Sequence, residues 1–170
     1  RDGCRAAAAA SGQVVEAVNF NDPKQTVIAG TRAGVDKACE MLKAAGAKRT
    51  LLLSVSAPFH SSLLQPATLR LRAALEAVAL HAPAIPMVNN IDVAAPADAA
   101  AIRDALVRQA AGPVRWVEVV QSLKARGMTH VVECGPGKVL ASTIKRIDHD
   151  LATGSIHDPA SLADMKGVLA

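Results

Sequence analysis

Tyrosine is absent from this 170-residue chain, and one tryptophan and two phenylalanines make up its whole aromatic content. Recognition of nucleic acid by base stacking needs aromatic faces, so nucleic acid is not an expected partner. Cysteine is scarce and odd in number. Cys4, Cys39 and Cys134 form no C-x-x-C pair, which argues against a disulfide framework and a zinc site and for a reducing, cytoplasmic compartment. No apolar run approaches the roughly 20 residues of a membrane-spanning helix, and no charged-then-apolar leader opens the chain, so no membrane partner is expected. An initiator methionine is also missing, and Arg1-Asp2 already reads as helix interior. The expectation is a piece of a longer protein whose N-terminal segment precedes these residues.

What the chain does contain is aliphatic. Apolar residues make up 51% of it, mostly Ala, Val and Leu, which is enough to bury a core and too much for disorder. The formal charge of +4 is spread singly or in pairs rather than in a block, a pattern of modest attraction for anionic partners.

Local patterns predict alternating helices and strands. An alanine-rich helix over residues 1–11 should end at Gly12. Val14–Phe20 and Thr26–Ala29 read as a hairpin turning at Asn21-Asp22-Pro23. A helix from about Ala33 to Ala45 follows, with Val35, Ala38, Cys39 and Leu42 on one face, closed by Gly46. Leu51-Leu52-Leu53 then reads as a buried strand. Helix, strand, strand, helix, strand is a ferredoxin-like order lacking its first strand. Farther on, Leu71, Ala74, Leu75 and Val78 stripe a helix reaching about Leu80, with Arg72 and Glu76 paired at i, i+4. Met87–Val93 is a strand or extended segment. Asp98 caps a helix to about Ala111, which Gly112-Pro113 stops, and Val114–Arg126 forms the next. Thr129–Glu133, Gly135-Pro136-Gly137 and a helix from Lys138 make a strand–turn–helix unit of an α/β sheet.

The chemistry concentrates in Val55-Ser56-Ala57-Pro58-Phe59-His60-Ser61-Ser62. Pro58 fixes its own φ and pushes Ala57 toward an extended conformation, so the turn carrying His60 is stiff. Ser62-Leu63-Leu64-Gln65 has the form of a capping box, with Pro66 in the first helical turn. His60 therefore stands between a strand end and a helix start, a good position for a general base. Its nucleophile is not here: none of the nine serines has glycine at either second neighbour, so the G-x-S-x-G elbow is absent. His81, His130, His149 and His157 lie at no metal-ligand spacing. The Gly135 turn lacks the Lys-Ser/Thr ending of a phosphate loop.

Pro58-Phe59-His60-Ser61, together with Asn19-Phe20-Asn21, Val88-Asn89-Asn90, the segment Ala101–Gln109 and Gly135-Pro136-Gly137-Lys138-Val139-Leu140, resembles the bacterial malonyl-CoA:acyl carrier protein transacylases across almost the whole chain. The resemblance implies an α/β fold: an incomplete α/β-hydrolase-like large subdomain over 55–170 and a ferredoxin-like small subdomain over 1–54. It implies malonyl transfer from malonyl-CoA through an acyl-serine to the phosphopantetheine thiol of acyl carrier protein, with no metal or redox cofactor. His60 matches the catalytic base, and Gln109 matches the residue whose backbone carbonyl orients it. Asn19, Asn21 and Phe59 match substrate-side positions, and Lys48, Arg49 and Arg146 match basic positions facing the carrier protein or CoA phosphates. An acyltransferase domain of a polyketide synthase shares these motifs, and a non-catalytic carrier-binding module is the reading from another class. An upstream G-H-S-x-G would separate enzyme from binding module.

Overall fold

The computed structural model describes residues 1–169, a mixed α/β chain of seven α-helices and four strands in two compact units. The first unit holds Arg1–Phe20 and Thr26–Arg115; the second holds the hairpin tip Asn21–Gln25 and the residues from Trp116 onward.

In the first unit, α1 (Asp2–Ser11) ends where Gly12 takes φ 65° and returns its N–H to the Ala8 carbonyl. This left-handed closure costs glycine nothing because it has no Cβ. Strand β1 (Val15–Asp22) turns through Pro23-Lys24 into β2 (Gln25–Gly30). β1 runs two residues beyond the expected strand because the Asp22 carboxylate itself makes the turn, accepting the Lys24 N–H at 2.8 Å. Gly30 must be glycine: a Cβ there would lie 2.1 Å from the Val14 carbonyl oxygen. Next to it Thr31 donates its N–H to that carbonyl and caps α2 (Arg32–Ala44) by accepting from Gly34. Ala7, Val15 and Ala38 are buried together, with Ile28, Val35 and Met41 packed on them.

The chain then departs from expectation. Residues 48–54 form no strand, and Leu51, Leu52 and Leu53 are more than half exposed. A strand exists only where a neighbour supplies the ladder, and no described strand pairs with this segment. After His60 a single 3-10 turn, Ser62–Leu64, leads into α3 (Gln65–Glu76), with Pro66 in its first turn. α3 ends four residues before Leu80, where Arg103 caps the open carbonyls of Leu75 and Val78. Arg72 approaches Asp104 at 3.7 Å instead of pairing with Glu76. Residues 87–93 are not a strand either: Asn89 Oδ1 accepts the N–H groups of Ile91 and Asp92, which closes a turn. α4 (Ala99–Ala111) starts at Asp98, whose carboxylate accepts the Ala101 N–H. Beyond Pro113, Val114 bridges β1 by donating to Val18 and accepting from Phe20.

The second unit stacks α5 (Trp116–Ala125) and α6 (Val139–Ile147) on two parallel strands, β3 (His130–Cys134) and β4 (Ala152–Ile156), paired from His130 with Ala152 to Cys134 with Ile156. Val120, Ile144 and Leu151 form its core under Trp116 and Val131. β4 and the following α7 (Pro159–Leu169) carry no strong signal in the sequence. Ala-Thr-Gly-Ser-Ile has little strand propensity and becomes a strand only beside β3. Gly135 and Gly137 turn the chain at φ 140° and 110°, so this loop is a glycine turn.

Asp22 is 7% exposed and accepts from Arg146 Nε at 2.7 Å. Burial opposes its ionisation, but the Arg146 hydrogen bond and the Lys24 N–H outweigh that and hold the carboxyl below its usual value. Its contribution to stability is therefore complete above about pH 4 and is lost as the pH falls through the lower folded value. Arg146→Met should leave a buried carboxylate short of a partner and cost about 1–3 kcal/mol in urea unfolding at pH 7. The difference from the parent chain should shrink as acid protonates Asp22, and a difference independent of pH would show that the pair contributes only packing.

Candidate active site

His60 is built into a tight turn. Phe59 N–H closes on the Ala57 carbonyl at 2.9 Å, and the Pro58 carbonyl accepts both the N–H and the hydroxyl of Ser61, at 3.3 and 2.6 Å. Between these anchors His60 takes φ 64°, a left-handed conformation that costs a non-glycine residue roughly 1–3 kcal/mol and persists only where neighbours enforce it. Ser61 is fully buried. Ser62 N–H donates to the Glu16 carboxylate on β1 at 2.8 Å, so the expected capping box is not formed. An acidic side chain from 46 residues away satisfies the first orphan donor, and a negative charge is favourable at that end of a helix.

The ring is fixed at its other side. His60 Nδ1 lies 3.1 Å from the Gln109 backbone oxygen. A carbonyl can only accept, so in the neutral ring the proton is on Nδ1 and the lone pair is on Nε2. The Gln109 carbonyl is available for a reason written in the sequence. The residue four positions on is Pro113, which has no N–H to give back to the helix.

The residue before Gln109 ties the last turns of α4 to the turn at 89–92. Arg108 grips Asp92 with two nitrogens at 2.6 and 2.7 Å and reaches Asp104 with Nε at 2.6 Å. The guanidinium lowers the Asp92 carboxyl below its ordinary range. The Gln109 side chain accepts a long 3.4 Å bond from Asn90 N–H.

The structure thus brings His60 and Gln109 together. Phe59 stands beside them on the turn, half exposed. Asn19 and Asn21 lie half-buried on β1, Asn19 at the bridge to Val114. Lys48 and Arg49 are exposed in the irregular segment after α2, while Arg146 is engaged by Asp22. Glu16 and Asp92 were not legible as site residues, because only the folded chain brings Glu16 to the His60 turn and Asp92 to Arg108 near the end of α4. Among the described residues, no group of three or more His, Cys, Asp or Glu side chains could hold a metal ion, and no helix is long and apolar enough to cross a membrane.

No protein-family model matches the chain. The malonyl CoA-acyl carrier protein transacylase of Salmonella typhimurium is 49% identical over 154 residues, which is 91% of this chain and 50% of that protein. The crystal structure of the acyl-carrier-protein S-malonyltransferase of Burkholderia pseudomallei superposes with a TM-score of 0.94 at 62% identity, over 97% of this chain and 53% of the other. A second similar structure is a malonyl-transacylase in complex with its type II polyketide acyl carrier protein, with a TM-score of 0.92 at 45% identity over 95% of this chain and 52% of that one. Over nine-tenths of its length the chain is a homologue of the malonyl CoA-acyl carrier protein transacylases, and it spans about half the length of the relatives it matches.

Proposed function

We propose that this chain is the half of a cytoplasmic malonyl-CoA:acyl carrier protein transacylase that carries the general base, and that it serves fatty-acid synthesis. The observation that carries this reading is the contact between His60 Nδ1 and the Gln109 carbonyl. In this account Nε2 takes the proton of a serine hydroxyl supplied by the rest of the protein as the oxygen attacks the malonyl thioester carbon. The tetrahedral intermediate collapses, the C–S bond breaks, and the imidazolium returns the proton to the CoA thiol. In the second half-reaction Nε2 deprotonates the phosphopantetheine thiol, whose sulfur attacks the acyl-serine carbonyl, and as the C–O bond to the serine breaks the imidazolium returns that proton to the serine oxygen. A neutral carbonyl selects the required tautomer but stabilises the imidazolium less than a carboxylate would.

The finer architecture belongs to the same proposal. The order α1, β1, β2, α2 is that of a ferredoxin-like small subdomain over 1–54, and the parallel β3–α6–β4 unit fits an α/β-hydrolase-like large subdomain over 55–170. The exposed Leu51, Leu52, Leu53 and Val55 form a strand when a segment outside this chain supplies the ladder. An acyl carrier protein is the macromolecular partner, as in the complexed neighbour, with Lys48, Arg49 and Arg146 meeting its acidic surface or the CoA phosphates, and Asn19 and Asn21 on the substrate side. The chemistry needs no metal or redox cofactor.

Phe59 gives this reading a selectivity test. Its half-exposed ring next to His60 would crowd an α-methyl on the acyl group, and one methyl is worth about 1–3 kcal/mol of discrimination. In the full-length enzyme, Phe59→Ser should raise methylmalonyl transfer relative to malonyl transfer in a competition assay. An unchanged product ratio would remove Phe59 from the substrate side.

A further inference from the structure

We propose that Glu16 is a positioning residue for His60, an inference that rests on the reading of His60 as the base. Three observations converge on the turn. His60 stands at φ 64°, where a side chain does not stay without enforcement. The residue after it, Ser61, is fully buried with its hydroxyl on the Pro58 carbonyl at 2.6 Å. The next, Ser62, is exposed and has its N–H on Glu16 Oε2 at 2.8 Å. The buried serine fixes the near side of the turn. The far side would be open to solvent but for the carboxylate from β1.

The contact couples the catalytic turn to a strand 46 residues earlier in the chain. Were the Ser62 N–H to bond water instead, His60 could relax toward negative φ, which swings the ring off the helix carbonyl. A free imidazole in water prefers the proton on Nε2, which leaves the lone pair on Nδ1 and none on Nε2 to take a serine proton. Glu16 therefore acts through the backbone to keep the lone pair on Nε2, and it touches neither substrate nor reacting atoms.

The test is the tautomer of His60 in the full-length protein, read from the ring nitrogen shifts of protein labelled with [15N]histidine and assigned through His60→Gln. In the parent chain the neutral ring should be almost wholly the Nδ1–H form. Glu16→Ala should lower that form to about half or less, while Glu16→Gln, whose amide oxygen still accepts the Ser62 N–H, should restore it. Ser61→Ala loosens the same turn from its buried side and should shift the tautomer the same way, which covers the case in which Glu16→Ala reduces the folded fraction. In the full-length enzyme the expected kinetic counterpart is a fall in kcat of about tenfold for Glu16→Ala with KM unchanged. A tautomer population that stays at the parent value in both alanine variants overturns the proposal, as does Glu16→Gln behaving like Glu16→Ala. Because the tautomer is read without turnover, a catalytically dispensable His60 would refute the proposed function and leave this readout to decide on Glu16 separately.

Discussion

On the proposed function, His60→Ala in the full-length protein is expected to lower kcat by about two to four decades, the range expected when a general base is removed, while leaving KM for malonyl-CoA within a few-fold. The loss is confined to the chemical step because the imidazole holds no part of the substrate in the proposed mechanism. The paired variant sharpens the test. Gln109→Ala keeps the backbone carbonyl that His60 Nδ1 faces at 3.1 Å and removes only a side chain whose one bond, to Asn90 N–H, is 3.4 Å long. It should retain activity within several-fold of the parent. Rapid-quench measurement of acyl-enzyme formation separates the two cases. Equal losses in His60→Ala and Gln109→Ala would mean that the glutamine side chain itself acts and that the carbonyl account is wrong.

The second large effect is all or none. None of the nine serines lies in a nucleophile elbow, and the chain spans about half the length of its relatives. A 170-residue polypeptide of this sequence should gain no mass on incubation with malonyl-CoA, while the full-length protein should gain one malonyl group. The same polypeptide exposes Leu51, Leu52, Leu53 and Val55 side by side. An uncovered apolar patch of this kind invites association, so light scattering from it should rise with concentration. A chain of 17.5 kDa that took up a malonyl group would place the nucleophile within these residues and overturn the division of labour proposed above.

Much of the architecture could be read locally, where the determining interaction lies within a few residues. Gly12 after the alanine run, Asp98 before α4 and Gly112-Pro113 after it mark their helix ends because caps and breakers act within one turn. The glycine turn at 135–137 was legible for the same reason. Where the deciding partner is remote, the local reading failed. Leu51-Leu52-Leu53 has the composition of a buried strand and is neither a strand nor buried, since no described strand supplies its ladder. Residues 90–93 are a different case, a local one: they turn because the nearby Asn89 side chain takes the N–H groups of Ile91 and Asp92. Ser62 and Gln65 spell a capping box, yet the Glu16 carboxylate takes the donor.

The candidate site divides along the same line. The sequence by itself determined that a histidine stands on a proline-stiffened turn before a helix, and that Gly112-Pro113 stops the helix carrying Gln109. It also determined that no serine elbow is present. Only the tertiary structure decided that His60 adopts a left-handed backbone, that its Nδ1 meets the Gln109 carbonyl, that Glu16 bonds the turn at Ser62, and that Arg108 ties α4 to Asp92. Backbone caps and breakers are short-range and leave their mark in neighbouring residues. The orientation of one ring depends on contacts that span 46 and 49 positions, and those come into being only when the chain has folded.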